Sequence, residues 1–476
     1  MLDFSNLEQY RENNRIEAKR ALGGFPRSVW ETYSAFANTL GGIILLGVEE
    51  HKDGSLHPID LPDPRFLVRE FWRQVNDPRK ASANILAENN VQIHDIDGNH
   101  IVSITIPRAQ RFDRPVFIDG NPLTGTYRRS GEGDYRCTRE EVESMQRDAA
   151  GRTLDMKLLS HMSPEVLEMP SLHRYRSRME RLRPGHSLTR LDDRAFLLQS
   201  GALGQDRGGG LHPTGAGLLM FGTHRDIVRE FPHYLLDYRE QMDGSDRLTY
   251  RLVSSSGHWS GNLFDFYTKV YRRIAADIRC PLLVQDGHFD DTPVHQALRE
   301  ALANSLVNAD YYGKQGLVIL KRRDMITISN PGAFRIAVEA AKSGGRSDPR
   351  NGGLVKLFHL IDVGGGTGSG IPRIYSVWQN QGWAPPTIEE RFDPERITLS
   401  LRMEKAGSTH PVLGCAAQQA AVVEYLTDHV SAGRTELAGF LGVTEQELQT
   451  VLSDMESEGT IARDDTLTLL RYRLKS

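Results

Sequence analysis

The sequence predicts an α+β fold divided among several domains, and three observations lead there. The chain has 476 residues, more than one hydrophobic core normally organises, so three or four domains are expected. The stretch from Ser34 to Glu50, SAFANTLGGIILLGVEE, joins an amphipathic helix, a double glycine and an apolar strand that ends on two acids. A polar-striped helix from Thr292 leads into a charged hairpin, and a glycine-rich turn further on opens onto another helix.

Near the N-terminus, RENNRIEAKRA predicts a short strand on which Glu17 and Lys19 share one face while Ile16 and Ala18 point inward. Glu12 lies five residues before Glu17, so the two converge only if Asn13 and Asn14 form a turn, which asparagine pairs favour. Ser28 and Glu31 stand in capping-box spacing, and Val29, Tyr33, Phe36, Ala37 and Leu40 recur at helical intervals until Gly41 and Gly42 end the helix. The run Ile43 to Val48 then reads as a core strand that delivers Glu49 and Glu50 to a rim. Glu12, Glu17 and Glu50 are candidate ligands for Mg2+ or Mn2+, with Lys19 placed to stabilise charge on a phosphate oxygen. A solvated acidic rim without metal is the plainer reading of those acids taken alone.

This N-terminal region, about residues 1 to 150, resembles the AlbA-type domain shared by Schlafen proteins and many bacterial regulators. The likeness rests on the Glu-x4-Glu-x-Lys element, the Ser-Ala-Phe-Ala-Asn-Thr-x-Gly-Gly helix end, the Leu-Gly-Val-acid-acid strand end and the Tyr127 to Gly131 element. It implies a metal-dependent endoribonuclease site for structured RNA such as tRNA at Glu12, Glu17 and Glu50, with Glu50 standing where an aspartate is usual. Many relatives with this domain are DNA-binding regulators instead.

With a net charge of -4, nucleic-acid contact must come from local patches. Arg108, Arg111 and Arg114, Arg128 and Arg129, and Arg136 and Arg139 form such a series, because an arginine fork can bond two phosphate oxygens. The arginine-rich stretch from Leu172 to Arg194 reads as a helical connector with a further chance of such contact. From Gly201 to Gly222, glycines mark turns around a short strand and a small apolar helix, a segment that resembles a connector of bacterial relatives. No Gly-x4-Gly-Lys-Ser/Thr sequence occurs, which argues against a helicase motor.

In the helix that opens at Thr292 and Pro293, Glu300, Asn304 and Asn308 share one face, and Leu298, Leu302 and Leu306 a neighbouring buried one. Strands follow at Leu317 to Lys321 and Met325 to Ser329, then Asn330, Pro331 and Gly332. GGGTGSG, Gly364 to Gly370, opens onto a helix whose backbone N–H groups can hold phosphate. The succession resembles a divergent GHKL-type ATP-binding domain, an α/β sandwich. The resemblance implies Glu300 as general base, Asn304 as Mg2+ ligand, Asn330 and Gly332 at the adenine, and Gly366, Gly368 and Gly370 in a phosphate lid. An aspartate is usual where Asn330 stands, and an asparagine carbonyl accepts without charge assistance. The loop from Gly344 to Gly353 reads as mobile, with Arg346 or Arg350 available to phosphate.

The C-terminal segment reads as a winged helix-turn-helix, with helices over 416–429, from Thr435, and from Thr444 with Glu447 in capping-box position, and strands near Ile461 and over Leu467 to Leu474. Glu445, Glu447, Asp454, Glu456 and Glu458 argue for a protein contact rather than DNA reading. The expected domains are 1–150 AlbA-type, 151–244 connector, 245–408 GHKL-like and 409–476 winged helix. Cys137, Cys280 and Cys415 lack metal-ligand spacing, the start MLDFSNLEQYRE is polar, and no apolar run is long enough to span a membrane, so a cytoplasmic protein is expected. A homodimer is implied by the single AlbA-type lobe. Two activities fit: a metal-dependent endoribonuclease governed by a nucleotide, for which the acids and Lys19 speak, or an ATP-binding, DNA-binding transcriptional regulator.

Overall fold

The computed structural model describes residues 4–242, 247–276, 283–285, 288–290, 292–364, 368–392 and 394–404. In a separate C-terminal unit it describes 422–423, 426, 432–434, 437, 448–449, 452, 455–456, 460–464 and 471–474. Residues up to Met403 pack as one unit, and Glu404–Ser476 as the other. The elements are mixed helices and sheets in both units, an α+β architecture.

The N-terminal lobe is built on a four-stranded sheet in the order Ile16–Lys19, Gly42–Leu46, Asn99–Ile106, Val91–Ile96, with the first pair parallel and the others antiparallel. The expected helix runs Val29–Asn38, and all but one of its residues are buried, so it is a core element rather than a half-exposed one. Ser28 does not cap it: its backbone is already helical and its side chain makes no capping bond. The glycine pair that ends the helix is required sterically. A Cβ on Gly41 would meet the Ile106 carbonyl at 2.7 Å, and one on Gly42 would meet the Phe36 ring at 2.7 Å. Trp30 and Phe71 stack at 5.6 Å in the core beneath.

The strand expected over Ile43 to Val48 is broken at Gly47, whose φ of 82° bends the chain into a second short strand, Val48–Glu50. That strand pairs with Leu56–Pro58 and carries Glu50 to an exposed position. Within the helix, Ser34, Asn38 and Thr39 are turned inward. Asn38 donates to the carbonyls of Val116 at 2.8 Å and Tyr127 at 3.1 Å and accepts from Val116 N–H at 2.8 Å. Ser34 Oγ accepts from Tyr127 N–H at 2.9 Å, and Thr39 Oγ1 from Arg129 N–H at 3.0 Å. The Ser-Ala-Phe-Ala-Asn-Thr motif thus fastens the Tyr127–Ser130 strand to the helix.

A connecting region contains the helices Met169–Leu182, Asp193–Ser200, Gly215–Phe221 and His224–Glu230, with the Leu203–Gln205 and Leu211–Pro213 hairpin between them. Three of its arginines are paired with acids, while Arg181, Arg190 and Arg194 are exposed. Arg174 binds Asp265 at 2.8 Å, Arg176 pairs with Asp193 and lies over Phe196, and Arg183 binds Asp362 at 2.6 Å.

The central lobe has a six-stranded sheet in the order Tyr250–Val253, Leu236–Gln241, Leu317–Arg322, Met325–Pro331, Glu395–Arg402, Thr387–Phe392. Only the Leu236–Gln241 and Leu317–Arg322 pairing is parallel. Helices Leu263–Ala276, Pro293–Asn308, Gly352–Leu360 and Gly370–Asn380 pack with the sheet around one large core. Leu298, Leu302 and Leu306 lie in that core, on the face the spacing assigned to it.

In the C-terminal unit, Val422, Leu426, Leu437, Leu448, Leu452, Met455, Ile461 and Tyr472 form a core of their own. Arg471–Leu474 pairs antiparallel with both Ile461–Asp464 and Ala432–Gly433. Thr435, Thr444, Glu445, Glu447, Asp454 and Glu458 lie outside the described residues, as do Cys280, Cys415 and Gly366. Among the described residues, no helix is long and apolar enough to cross a membrane.

Asn38→Ala should lower the unfolding free energy of this lobe by about 3 kcal/mol, since three buried hydrogen bonds worth roughly 1 kcal/mol each are lost. Urea denaturation of the full chain checks this, and a loss below about 1 kcal/mol would show that the motif does not fasten the strand.

Candidate nucleotide site and its clasp to the N-terminal lobe

Thr292 caps the Pro293–Asn308 helix through His295 N–H, and Pro293 takes the first helical position. From that start, four-residue spacing turns Glu300, Asn304 and Asn308 toward a cavity of about 160 Å3. The sheet contributes Ile328, Asn330, Ile388, Ile397 and Leu399, and the Gly370–Asn380 helix contributes Ile371, Ile374 and Tyr375. Apolar side chains therefore line the sheet side, while Glu300 and Asn304 make the helix side polar. Asn330 is buried beside the sheet, its amide donating only a 3.5 Å bond to the Pro331 carbonyl.

The glycines explain how the walls meet. Gly370 sits against Glu300 Oε1 and Asn304 Nδ2, and a Cβ there would collide with both. Gly368, with φ 74°, is pressed against the Arg346 backbone. Both line the cavity with the other residues expected there. Gly332 does not: its φ is 97° and it packs on the Arg350 guanidinium, which a Cβ would meet at 2.7 Å. It is a structural glycine beside the site. A glutamate and an asparagine carry oxygens of the kind that bind Mg2+, and Glu300 and Asn304 are the candidates for that role at this cavity.

The loop from Ala333 to Arg350, which includes the short helix Val338–Ser343, has two faces. One lines the cavity through Phe334, Arg335, Arg346, Ser347 and Asp348. The other is gripped by the N-terminal lobe. Arg108 donates to both oxygens of Glu390, at 2.6 and 2.9 Å, and to the Phe334 carbonyl at 2.9 Å. Arg111 pairs with Asp348 and donates to the carbonyls of Asp148 at 2.7 Å and Ala150 at 3.0 Å. Asp148, on the Arg139–Ala149 helix, accepts from Arg335 at 3.3 Å and also pairs with Arg350. Burial alone would raise the Asp148 pKa, but Arg350 and Arg335 hold it below the usual carboxylate range. Glu395 nearby is pushed up by burial. Arg114 is lowered to about 10, chiefly by burial and then by the charge of Arg108.

These pairings correct the expected nucleic-acid surface. Arg111 is buried and Arg108 half-buried in the clasp, Arg128 binds Glu141 at 2.9 Å, and Arg129 binds Glu17 at 2.8 Å and Asp134 at 3.0 Å. Each of these four guanidiniums thus has an acid of the protein itself as its partner. Arg350 is likewise committed, so the loop is anchored at that end rather than mobile.

The acidic cluster of the N-terminal lobe forms in part as expected. Asn13 and Arg15 make the turn, with Asn13 N–H on the Ile16 carbonyl at 3.2 Å, and Glu12 folds back to accept from Ala18 N–H at 2.8 Å. Burial first, then the charges of Glu17 and Glu50, push the Glu12 carboxyl up, so the three acids are electrostatic neighbours. Glu17 is 5% exposed, not on an open rim, and pairs with Lys19 as well as Arg129. Among the described residues, no three acidic, histidine or cysteine side chains are grouped to hold a metal ion. With Glu12 on a backbone N–H and Glu17 on two cations, the trio as placed does not fit a divalent ion.

Asp148, Glu390 and Glu395 escaped the sequence reading. One signal was available for Asp148: an acid in the last turn of a helix opposes the helix dipole and calls for cations nearby.

Residues 12–138 match the family described as Schlafen, AlbA_2. Residues 319–399 match the family described as putative ATP-dependent DNA helicase recG C-terminal, a span that begins after Glu300 and Asn304. Residues 143–237 match a domain of unknown function, DUF8451. Among solved structures, the DIP2311 protein from Corynebacterium diphtheriae is similar at 16% identity over 97% of this chain and 92% of its own, with a TM-score of 0.42. The N-terminal domain of a putative ATP-dependent DNA helicase RecG-related protein from Nitrosomonas europaea is similar at 31% identity over 29% of this chain and 96% of its own, with a TM-score of 0.23. No curated protein matches the chain.

Asp148→Asn should destabilise the larger unit by about 3–5 kcal/mol at neutral pH, because Arg335 and Arg350 stay buried without their counter-charge. Since the folded pKa lies below the unfolded one, the wild-type contribution is present above the ordinary carboxylate range and fades as pH falls through the folded value. Unfolding free energies of both proteins should therefore converge in acid, and a constant gap down to acid pH would rule the ion pair out as the cause.

Proposed function

We propose, for a chain that carries a Schlafen AlbA_2 domain at its N-terminus and a recG C-terminal-type ATPase domain behind it, a nucleotide-binding protein that acts on nucleic acid. One observation carries the reading: Glu300, Asn304, Asn308, Asn330, Gly368 and Gly370, far apart in sequence, line a single cavity. In that site the apolar sheet side and Asn330 take the base, and Glu300 and Asn304 face the phosphates. Asn330 offers both a carbonyl and an amide to the base edge, without the charge an aspartate would lend. Glu300 is then the group that orients an attacking water. A bound Mg2+ would neutralise phosphate charge beside Asn304.

The clasp supplies the route of control. A nucleotide that shifts the loop from Ala333 to Arg350 also moves Asp348 and Arg350, and with them the Arg111 and Asp148 anchors of the N-terminal lobe. Nucleic-acid binding by that lobe would then depend on the nucleotide state.

A second reading, cleavage of structured RNA at Glu12, Glu17 and Glu50, is favoured by the nearness of the three acids, whose charges add to burial in raising the Glu12 carboxyl. It requires Glu17 to leave Arg129 and Lys19, and a regulator without nuclease activity requires no such change.

The test incubates full-length protein with labelled tRNA and duplex DNA, with and without ATP, in Mg2+, Mn2+ or chelator. Nucleic-acid retention that changes with ATP, and loses that dependence in Asp348→Ala, is the expected result. Retention indifferent to ATP, or no ATP binding at all, would sink the proposal. Metal-dependent RNA cleavage abolished by Glu17→Ala would establish the second reading.

A further inference from the structure

The helix Pro64–Val75 packs an apolar stripe, Leu67, Phe71 and Val75, into the core of the N-terminal lobe. Its opposite face carries Arg65, Arg69 and Arg73 at four-residue spacing, all exposed, with Phe66 and Trp72 beside them. Phe66 is 48% exposed and Trp72 half-buried. The nearby acids are already engaged. Asp63 caps the helix through Phe66 N–H at 2.8 Å, and Glu70 accepts from Arg73 at 2.6 and 2.9 Å. Arg65 and Arg69 have no hydrogen-bond or ion-pair partner among the described residues.

Helix stability does not account for this face. The neighbours of Arg69 at three and four residues are Arg65, Phe66, Trp72 and Arg73, so cations and rings stand where a stabilising pair would put an acid. Arg65 lies in the first turn, where the helix dipole disfavours a cation, and that turn holds no acid. The Arg139–Ala149 helix shows the ordinary pattern instead, with Arg139 paired to Glu143 four residues on at 2.8 Å. The charge on Pro64–Val75 works against its own helix, and an anion from outside relieves it.

The rings decide which anion. A lipid surface takes a basic helix by its apolar face, and here that face is locked in the core. A duplex offers phosphates but keeps its base faces stacked within, so Phe66 would meet none. A single strand offers both, phosphate oxygens for planar arginine forks and base faces for an exposed ring. We propose that the exposed face of Pro64–Val75 docks a single nucleic-acid strand, with Arg65 and Arg69 on phosphates and Phe66 stacked on a base. Neither contact reads the sugar, so DNA and RNA strands are held alike. The proposal rests on the nucleic-acid reading above and gives that lobe a contact surface in place of the arginines already paired with its own acids.

The experiment measures anisotropy of labelled oligothymidine, oligouridine and a DNA duplex with the full chain in chelator, across a salt series. The variants are Arg65→Ala/Arg69→Ala, Phe66→Ala, Phe66→Tyr and a charge-matched control on exposed central-lobe residues, Arg322→Ala/Arg323→Ala. Loss of two phosphate contacts should flatten the slope of log affinity against log salt by about 1.4. Phe66→Ala should weaken strand binding about tenfold with the slope unchanged, and Phe66→Tyr should bind as wild type. The control should match wild type, the two strands should bind within about threefold of each other, and no melting temperature should fall. An unmoved slope in the arginine variant, an equal change in the control, full affinity in Phe66→Ala, a marked preference for one sugar, or tighter binding of the duplex overturns the proposal while leaving nucleic-acid binding standing. Wild-type protein that binds none of the three probes overturns both.

Discussion

The larger unit depends on one buried carboxylate. Asp148 lies between Arg335 and Arg350, three charged groups almost wholly removed from water. Such a group is stable only as a complete set, because each member alone would carry a large desolvation penalty. The set is assembled from two lobes: the acid comes from the helix that closes the N-terminal lobe, and both arginines come from the loop beside the cavity. Neither lobe can present its part of the network to solvent without exposing the opposite charge to an apolar interior. The ion cluster therefore fixes the lobes in one arrangement and places the cavity wall in contact with the N-terminal lobe.

That arrangement gives the cavity loop its two roles. Its inner face carries Arg346 and Phe334, and its outer face carries the Asp348 and Arg350 anchors. Short glycines at 368 and 370 let the opposite wall close to van der Waals contact with the loop and with the Glu300 face of the helix. A ligand in the cavity touches one side of a strip of chain whose other side is bonded to a second lobe. Communication between the two requires only displacement of that strip, not a long pathway through the core.

In the N-terminal lobe, the same economy of buried polar groups separates structural from functional residues. Ser34, Asn38 and Thr39 belong to the motif that carries the family resemblance, yet all three are consumed by backbone groups of neighbouring strands. Glu12 and Glu17, from the same resemblance, are also bonded internally. What distinguishes Glu12 is a carboxyl pushed up by burial and then by the charges of Glu17 and Glu50, despite those bonds.

Periodicity alone determined the elements that carry the site. Four-residue spacing placed Glu300, Asn304 and Asn308 on one face and the leucines on another, because helix geometry fixes those angles whatever surrounds them. The turn at Asn13, the glycine end of the first helix and the hairpin after Asn308 were legible for the same local reason. Tertiary structure decided the fate of the arginines. Arg108, Arg111, Arg129 and Arg350 look alike in sequence to Arg346, since a charge carries no local record of its partner. Their partners, Glu390, Asp348, Glu17 and Asp148, lie far along the chain, and only folding brings them near enough to compete with water. The break at Gly47 and the burial of Glu17 were decided in the same way, by neighbours that no window of sequence contains.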